Sequence, residues 1–137
     1  MPELVSFDYA IVRVTPRVER GEFLNVGVVL CCATKRFLEA RIELDHARLS
    51  ALAPNIDCGL IEEYLSVIPR VCGGGASAGP IGALPQRARF HWIVAPRSTV
   101  IQMSPVHTGL CCDLQATLDE LFEKMVLVGA PAKSGGE

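Results

Sequence analysis

Hydrophobic and polar residues alternate through much of the first 44 positions of the chain. A period of two over residues 6–14 predicts a first β-strand. Residues 24–33 form a nearly unbroken, β-branched apolar run, which predicts a central strand covered on both faces. Gly27 within that run indicates a bulge or a close backbone approach. Residues 38–44 alternate again and predict a third strand with one wet face. Because short connections join the three strands, we expect an antiparallel meander.

The period becomes helical after residue 44. Asp45 can cap a short helix that runs to about Ala53, and Asp57 can cap a second helix. Pro69 is expected to end or kink the second helix, because proline has no N–H to donate. Spacing predicts the apolar face of this helix as Leu60, Ile61, Tyr64, Leu65 and Ile68.

The second half of the chain contains a glycine-rich connection, residues 71–82, for which we expect a flexible loop. The segment 85–95 fits either a helix or a strand, and a proline at its start favours the helix. Residues 98–103 predict a further strand. Asp113 can cap a final helix of about four turns.

These elements predict a single α+β domain over residues 1–128, a mainly antiparallel sheet packed by about four helices. The sheet is expected to hold the N-terminal three-strand meander and one later strand. Residues 129–137 have the composition of a disordered tail.

Composition narrows the possible functions. The chain has 137 residues, with 13 Lys+Arg against 15 Asp+Glu, a net charge of -2 that excludes a generally basic nucleic-acid binder. Half of the residues are hydrophobic, which excludes a wholly disordered chain. No apolar run approaches the ~18 residues of a membrane span, and no signal peptide is evident. We therefore expect a soluble, cytoplasmic protein that does not bind membranes.

The charge is unevenly distributed along the chain. Residues 64–112 contain four arginines and no Asp or Glu, a local charge of +4, between two segments that each carry -3. Ten of the 13 basic residues are arginine, whose forked guanidinium suits carboxylate and phosphate groups. These arginines either pair with acids of the flanking segments or form an anion site.

Six cysteines include two adjacent pairs, Cys31-Cys32 and Cys111-Cys112. Adjacent cysteines do not have zinc-site spacing, and no second well-spaced pair accompanies His107 and Cys111. Without an export signal, reduced and mostly buried thiols are expected. We predict no metal and no cofactor.

Two polar segments, residues 13–25 and 95–109, hold the groups that an anion or phosphate pocket would use. Arg13 continues the alternation of the first strand, so it should lie on a covered face, where Glu19 or Glu22 could neutralise it. The candidate ligand-binding residues are Arg13, Arg17, Arg20, Glu22, Asn25, Arg97, Ser98, Gln102 and His107.

Several interpretations of these segments stay open. The polar side chains could form a buried, mutually satisfied network that fixes the sheet register, comprising Arg13, Glu22, Asn25, Arg97 and Gln102. They could bind a ligand or a partner. A small phosphoester hydrolase could use His107 as base and Arg97 as clamp, but no nucleophile motif and no nearby acid supports it. The Arg and aromatic residues of 87–97 could also stack on single-stranded nucleic acid.

The same two segments carry a resemblance. Residues 9–28, YAIVRVTPRVERGEFLNVGV, and residues 89–109, RFHWIVAPRSTVIQMSPVHTG, resemble the bacterial family catalogued as domain of unknown function 3037, across about 7–128. The resemblance implies a small stand-alone bacterial protein, often encoded beside a HipA-like kinase. It implies no established activity and no catalytic residues. The resulting hypothesis is a non-catalytic accessory or regulatory module that binds a protein partner, such as that kinase, or a phosphate-type anion. It would bind through Arg13, Arg17, Arg20, Arg97 and His107.

Overall fold

The fold is α+β, as predicted, in a computed structural model that describes residues 3–97 and 99–127. A five-stranded antiparallel sheet lies between helices on both faces. The predicted tail, residues 129–137, lies outside the described residues. None of the helices in the described ranges has the length and apolar character needed to cross a membrane.

The strands are β1 (Val5–Val14), β2 (Leu24–Cys32), β3 (Phe37–Ile42), β4 (Ile101–Met103) and β5 (His107–Cys111). The first three form the predicted antiparallel meander, with β2 between β1 and β3. On its other side, β1 pairs with β4 near its C-terminal end and with β5 near its N-terminal end. The central position of β1 and β2 explains their apolar character, because both faces of each strand are covered.

Gly27 lies next to a bulge in β2. Val12 pairs with Gly27 but Arg13 pairs with Asn25, so Val26 is an extra residue in β2. A Cβ atom at position 27 would lie 2.7 Å from Cγ1 of Ile42 on the neighbouring strand. Both features that glycine indicated in this strand, a bulge and a close backbone approach, are therefore present.

The strand predicted over 98–103 is shorter than expected, and β5 was not predicted. Ser104 joins β4 to β5: its N–H donates to the carbonyl of Ile11, and the Ile11 N–H donates to Ser104 Oγ at 2.8 Å. Ile11 of β1 lies opposite Ser104, and Tyr9 lies opposite His107. Pro105 and Val106 are therefore both opposite the single residue Ala10. The extra residue forms a bulge between β4 and β5. The segment that was predicted to be one strand followed by a loop is therefore an edge strand interrupted by a bulge.

Four α-helices follow the predicted order: α1 (His46–Leu52), α2 (Cys58–Gly73), α3 (Gln86–Val94) and α4 (Leu114–Met125). The predicted caps of α1, α2 and α4 are confirmed, since Asp45, Asp57 and Asp113 each accept a hydrogen bond from a backbone N–H three residues on. The helical alternative for 85–95 is also confirmed.

Of the two effects predicted for Pro69, the end of α2 is excluded, because the helix continues to Gly73. Ile68 and Val71, on either side of the proline, are buried, and their packing offsets the hydrogen bond that proline cannot donate. The predicted apolar face also needs correction, since Leu60 and Tyr64 are exposed.

The glycine-rich connection is more ordered than predicted. After α2 the chain forms two 3-10 turns over Ala76–Ala83. The side chain of Arg89, in α3, holds the two ends of this connection together. It donates hydrogen bonds to the carbonyls of Val71 and Cys72 before the turns and of Leu84 after them, at 2.7–2.9 Å. Repeated glycine indicated flexibility, but a buried guanidinium with three carbonyl partners orders the connection.

The sheet divides the hydrophobic core into two. On one face, which we call the three-helix face, α1, α2 and α3 cover residues such as Val29 and Cys31. On the other, the α4 face, Leu118 and Phe122 of α4 cover Val28 and its neighbours. Side chains therefore alternate between two separate environments along each central strand.

Candidate functional site

The structure distributes the predicted site residues over both faces of the sheet. Arg13 stands between Asn25 and Gln102 in a cross-strand row on the α4 face, because paired residues of neighbouring strands point to the same side. Arg97 follows α3 and lies with the three-helix face. Ser98 lies outside the described residues. The single buried network predicted for these residues is therefore wrong.

Arg13 lies against an aromatic ring, and among the described residues it forms no ion pair with an acid. Its guanidinium carbon lies 4.1 Å above the centre of the Phe23 ring, and its buried Nε has no hydrogen-bond partner within residues 3–97 and 99–127. Asn25 beside it donates from Nδ2 to the carbonyl of Met125 at 3.1 Å, while its buried Oδ1 is unpaired in the same described ranges. Both unpaired atoms are inaccessible, so a ligand could not reach them without a local movement.

Glu19 and Glu22, the predicted partners of Arg13, pair with other arginines. Glu19 accepts from Arg17 at 3.1 Å, and both oxygens of Glu22 accept from Arg20 at 2.8 and 3.0 Å. The hydrogen bond from Arg20 lowers the pKa of Glu22. The prediction of an Arg13–Glu pair is wrong because the turn after β1 places each glutamate beside the arginine two residues before it.

His107 is isolated from the other candidates. It is exposed on β5, its ring 5.3 Å from that of Tyr9, and it makes no ion pair with an acid within residues 3–97 and 99–127. Tyr9 and Arg13 are four residues apart on one strand, about 13 Å. Arg97 lies with the opposite face, so His107 and Arg97 do not form a common site.

Arg97 is held at the end of α3. It donates to the carbonyls of Ile93 and Trp92 at 2.8 and 2.6 Å, and its guanidinium carbon lies 4.7 Å from the centre of the Trp92 ring. These bonds satisfy carbonyls at the helix C-terminus, where a positive charge is favourable. They leave the charge of Arg97 without a carboxylate partner among the described residues.

Beside Arg97 lies an open groove of about 550 Å³ between α2, α3 and the turn after β1. Its exposed apolar residues include Tyr64, 47% exposed, Val18, 41% exposed, and Trp92, 37% exposed. We call this the Trp92 groove, lined by Val18, Tyr64, Val67, Ile68, Trp92, Arg97, Thr99, Val100 and Ile101.

Sequence reasoning missed the Trp92 groove. The signal was present in α2, where Leu60, Tyr64 and Val67 extend the apolar surface beyond the stripe needed for the core. A helix whose apolar surface is wider than its buried face leaves hydrophobic side chains in contact with water.

A second concavity of about 490 Å³ lies between the turn after β1 and the end of α1. Two of the predicted site residues, Arg17 and Arg20, line it. We call this the basic cavity, and its lining is Pro16, Arg17, Arg20, Leu52, Ala53, Pro54, Asn55 and Ile56.

Three of the four arginines of the acid-free segment make different contacts. Arg87 pairs with Asp8 at 2.6 Å, which is the predicted pairing with a flanking acid, while Arg89 and Arg97 donate to carbonyls. Phe90 is buried in the core and Arg89 is engaged beneath the glycine-rich connection. Neither residue can therefore stack on a nucleic-acid base, as the single-strand interpretation of 87–97 requires.

The described cysteines are all free thiols, of which Cys31, Cys32 and Cys72 are buried. Burial raises the pKa of Cys31, and it raises that of Cys72 to about 12, so neither is a ready nucleophile. In the described part of the chain, no group of three or more His, Cys, Asp or Glu residues could hold a metal ion.

Comparison with known protein families identifies the chain. The family model described as "Protein of unknown function (DUF3037)" matches residues 9–126, most of the chain. No curated protein matches the chain, and no solved structure does either. The matched region begins within β1, extends past the end of α4, and includes most of both cores, the Trp92 groove and the basic cavity. The chain therefore belongs to the DUF3037 family.

Proposed function

We propose that this protein is a non-catalytic accessory module, and that the Trp92 groove is the surface on which it docks a partner protein. The observation that carries the proposal is the convergence of Tyr64, Trp92 and Arg97 around one open groove. Tryptophan, tyrosine and arginine are the residues most enriched among the energetic centres of protein interfaces.

The surroundings of the groove support a binding role. Apolar side chains line most of it, and no Lys, Asp or Glu is among its described lining residues, which is the composition of an interface centre. Leaving Tyr64 and Trp92 each more than a third exposed is unfavourable in an isolated molecule, whereas a partner would cover them.

The groove also has a rigid base. Ile68 and Ile101 connect it to the core of the three-helix face, and the hydrogen bonds from Arg97 fix the end of α3. A preformed surface loses little conformational entropy on binding, which favours affinity.

The described residues bring together no catalytic set that would support an enzymatic role. His107 and Arg97 lie with opposite faces of the sheet, and burial raises the pKa values of the Cys31 and Cys72 thiols. The resemblance makes a HipA-like kinase the first partner to test, and we propose the cytoplasm as the site of action.

The test is a calorimetric titration of the purified HipA-like kinase encoded beside a member of this family. We expect Tyr64→Glu to weaken binding at least tenfold, because a carboxylate replaces an aromatic contact. Leu110→Glu makes a matched change at a residue that is 67% exposed on β5, outside the groove, and should bind like the wild type.

Circular dichroism and thermal unfolding of both variants verify that each is folded. Equal binding by Tyr64→Glu and the wild type would exclude the groove as the docking surface. A kinase that does not bind the wild type at all would exclude that partner, and the peptide selection described below then decides whether the groove binds peptides.

A further inference from the structure

We infer that the partner segment is an acidic, amphipathic peptide that spans the Trp92 groove and the basic cavity. This inference rests on the proposed function and specifies its partner. Three of the candidate ligand-binding residues predicted from the sequence line these two concavities: Arg17, Arg20 and Arg97.

The turn after β1 contributes to the lining of both concavities. Val18, the first residue of the 3-10 turn Val18–Arg20, lines the Trp92 groove. Arg17, immediately before Val18, and Arg20 line the basic cavity. Because consecutive residues belong to the two linings, we infer that one peptide segment passes over this turn and contacts both.

The charged residues that line the two concavities have one sign, while Glu19 and Glu22 pair with two of them from outside the lining. Among the described residues that line the two concavities there are three arginines and no Asp, Glu or Lys. Arg97 uses two of the five N–H donors of its guanidinium on backbone carbonyls, which do not neutralise its charge. Acidic side chains of a partner would meet complementary charge at both ends of the surface.

Glu19 and Glu22 do not neutralise the surface permanently. Their pairs with Arg17 and Arg20 are exposed, and such pairs are weak and screened by salt. Neither glutamate lines the basic cavity. A carboxylate of the partner can therefore replace each one without breaking a buried contact.

The apolar lining decides between acidic ligands. A nucleic acid also carries negative charge, and Tyr64 and Trp92 present rings for base stacking, but most of the apolar lining is aliphatic and includes Val18, Val67 and Val100. These side chains favour aliphatic or aromatic side chains of a peptide, which a hydrophobic contact stabilises without base stacking.

The experiment selects peptides from a random 12-residue display library on the immobilised wild-type protein. We expect enriched peptides to combine apolar residues with Asp or Glu. A synthetic enriched peptide without tryptophan is then titrated, with Trp92, the single tryptophan of the chain, as the fluorescent reporter. Replicate titrations in higher salt should give weaker binding.

Charge variants measure the role of the arginines. The double variant R17Q/R20Q should weaken binding about tenfold, and E19Q/E22Q should strengthen it several-fold. The double variant K35Q/R36Q removes the same charge from the exposed turn between β2 and β3, away from both concavities, and should bind like the wild type.

The outcomes separate the two proposals. If no peptide is enriched, or if Tyr64→Glu binds the enriched peptides as well as the wild type, the proposed docking function fails. If the peptides need Tyr64 but lack acidic residues, or if R17Q/R20Q binds unchanged, only the acidic partner is excluded. A single-stranded oligonucleotide that binds more tightly than the best peptide would also overturn this inference.

Discussion

Arg13 illustrates what a residue pattern can and cannot predict. Strand alternation correctly predicted that its side chain would share a face with Phe7 and Ile11. It could not predict the neighbours, because those depend on how the following turn folds. That turn pairs each glutamate with the arginine two residues earlier, so Arg13 rests on Phe23 instead. A guanidinium over an aromatic ring is a favourable contact, but the buried Nε has no hydrogen-bond partner in the part of the chain that the structure describes.

Asp8 forms an ion pair with Arg87 and accepts a further hydrogen bond from Thr108. Its carboxylate accepts from Arg87 at 2.6 Å and from Thr108 at 2.7 Å. Burial acts to raise the pKa of Asp8, but the hydrogen bonds from Thr108 and Arg87 outweigh it and hold the pKa below its ordinary 3.8. Ionised Asp8 therefore stabilises the folded state.

We predict that Asp8→Asn lowers the free energy of unfolding by about 1 kcal/mol at pH 7. Because the folded pKa is lowered, this contribution is present above the ordinary pKa and is lost as the pH falls through the folded value. Urea unfolding at a series of pH values from 7 to about 3 should show the two proteins converging below about pH 4.

Asp119→Asn is the control for this change, because it removes an exposed pair with Arg41. It should alter the free energy of unfolding at pH 7 by less than about 0.5 kcal/mol. A difference between wild type and Asp8→Asn that stays constant down to the lowest pH would contradict the assignment.

At the scale of elements, most of the fold could be predicted because the cues are local. The three aspartate caps and the period of the apolar residues define α1, α2 and α4. The strand β5 could not be predicted, because its pairing depends on a contact between Ser104 and Ile11, 93 residues apart. Its exposed side chains show little apolar alternation.

Gly27 gives a test of the packing between β2 and β3. An alanine Cβ there would lie 2.7 Å from Ile42 Cγ1 and 2.8 Å from the carbonyl oxygen of Arg41. Because one of these contacts is backbone, the strands themselves must separate. We predict that Gly27→Ala lowers the free energy of unfolding by about 2 kcal/mol, measured by urea denaturation.

At Gly73, substitution by alanine should change the free energy of unfolding in the opposite direction. Gly73 is the last residue of α2, and a Cβ there would meet nothing within 4 Å. Alanine should raise the free energy of unfolding by about 0.5 kcal/mol through helix propensity. If both variants were equally destabilised, the contact with β3 would not be the cause at position 27.

At the scale of the whole molecule, the site depends on contacts that no local pattern describes. The Trp92 groove draws residues from the turn after β1, from α2, from α3 and from the start of β4. Arg97, a candidate from the sequence, lines the groove, whereas Tyr64, which also lines it, was assigned from the sequence to the buried face of α2. The row of Arg13 and Gln102 and the groove lie on opposite faces, because alternate residues of a strand point in opposite directions. Adjacency in sequence therefore placed unrelated residues in one predicted site.

The two cores share one sheet, so they should be lost together when the protein unfolds. Cys32 belongs to the core of the α4 face, and Cys31 and Cys72 belong to the core of the three-helix face. In the native state at pH 8 we predict that iodoacetamide alkylates exposed Cys112 and leaves these three intact. For Cys72, burial protects the thiol in two ways: it blocks access of the reagent, and it raises the pKa of Cys72 to about 12, which keeps the thiol protonated.

Increasing urea should then expose Cys32 and Cys72 at the same midpoint, with peptide mass spectrometry assigning the modified thiols. The reason is that β1 and β2 contribute side chains to both cores, so neither core can open while the sheet remains intact. Cys112 serves as the internal control, since its reaction should not depend on urea. If Cys32 became reactive at clearly lower urea than Cys72, α4 would detach as a separate unit and the shared sheet would not couple the two cores.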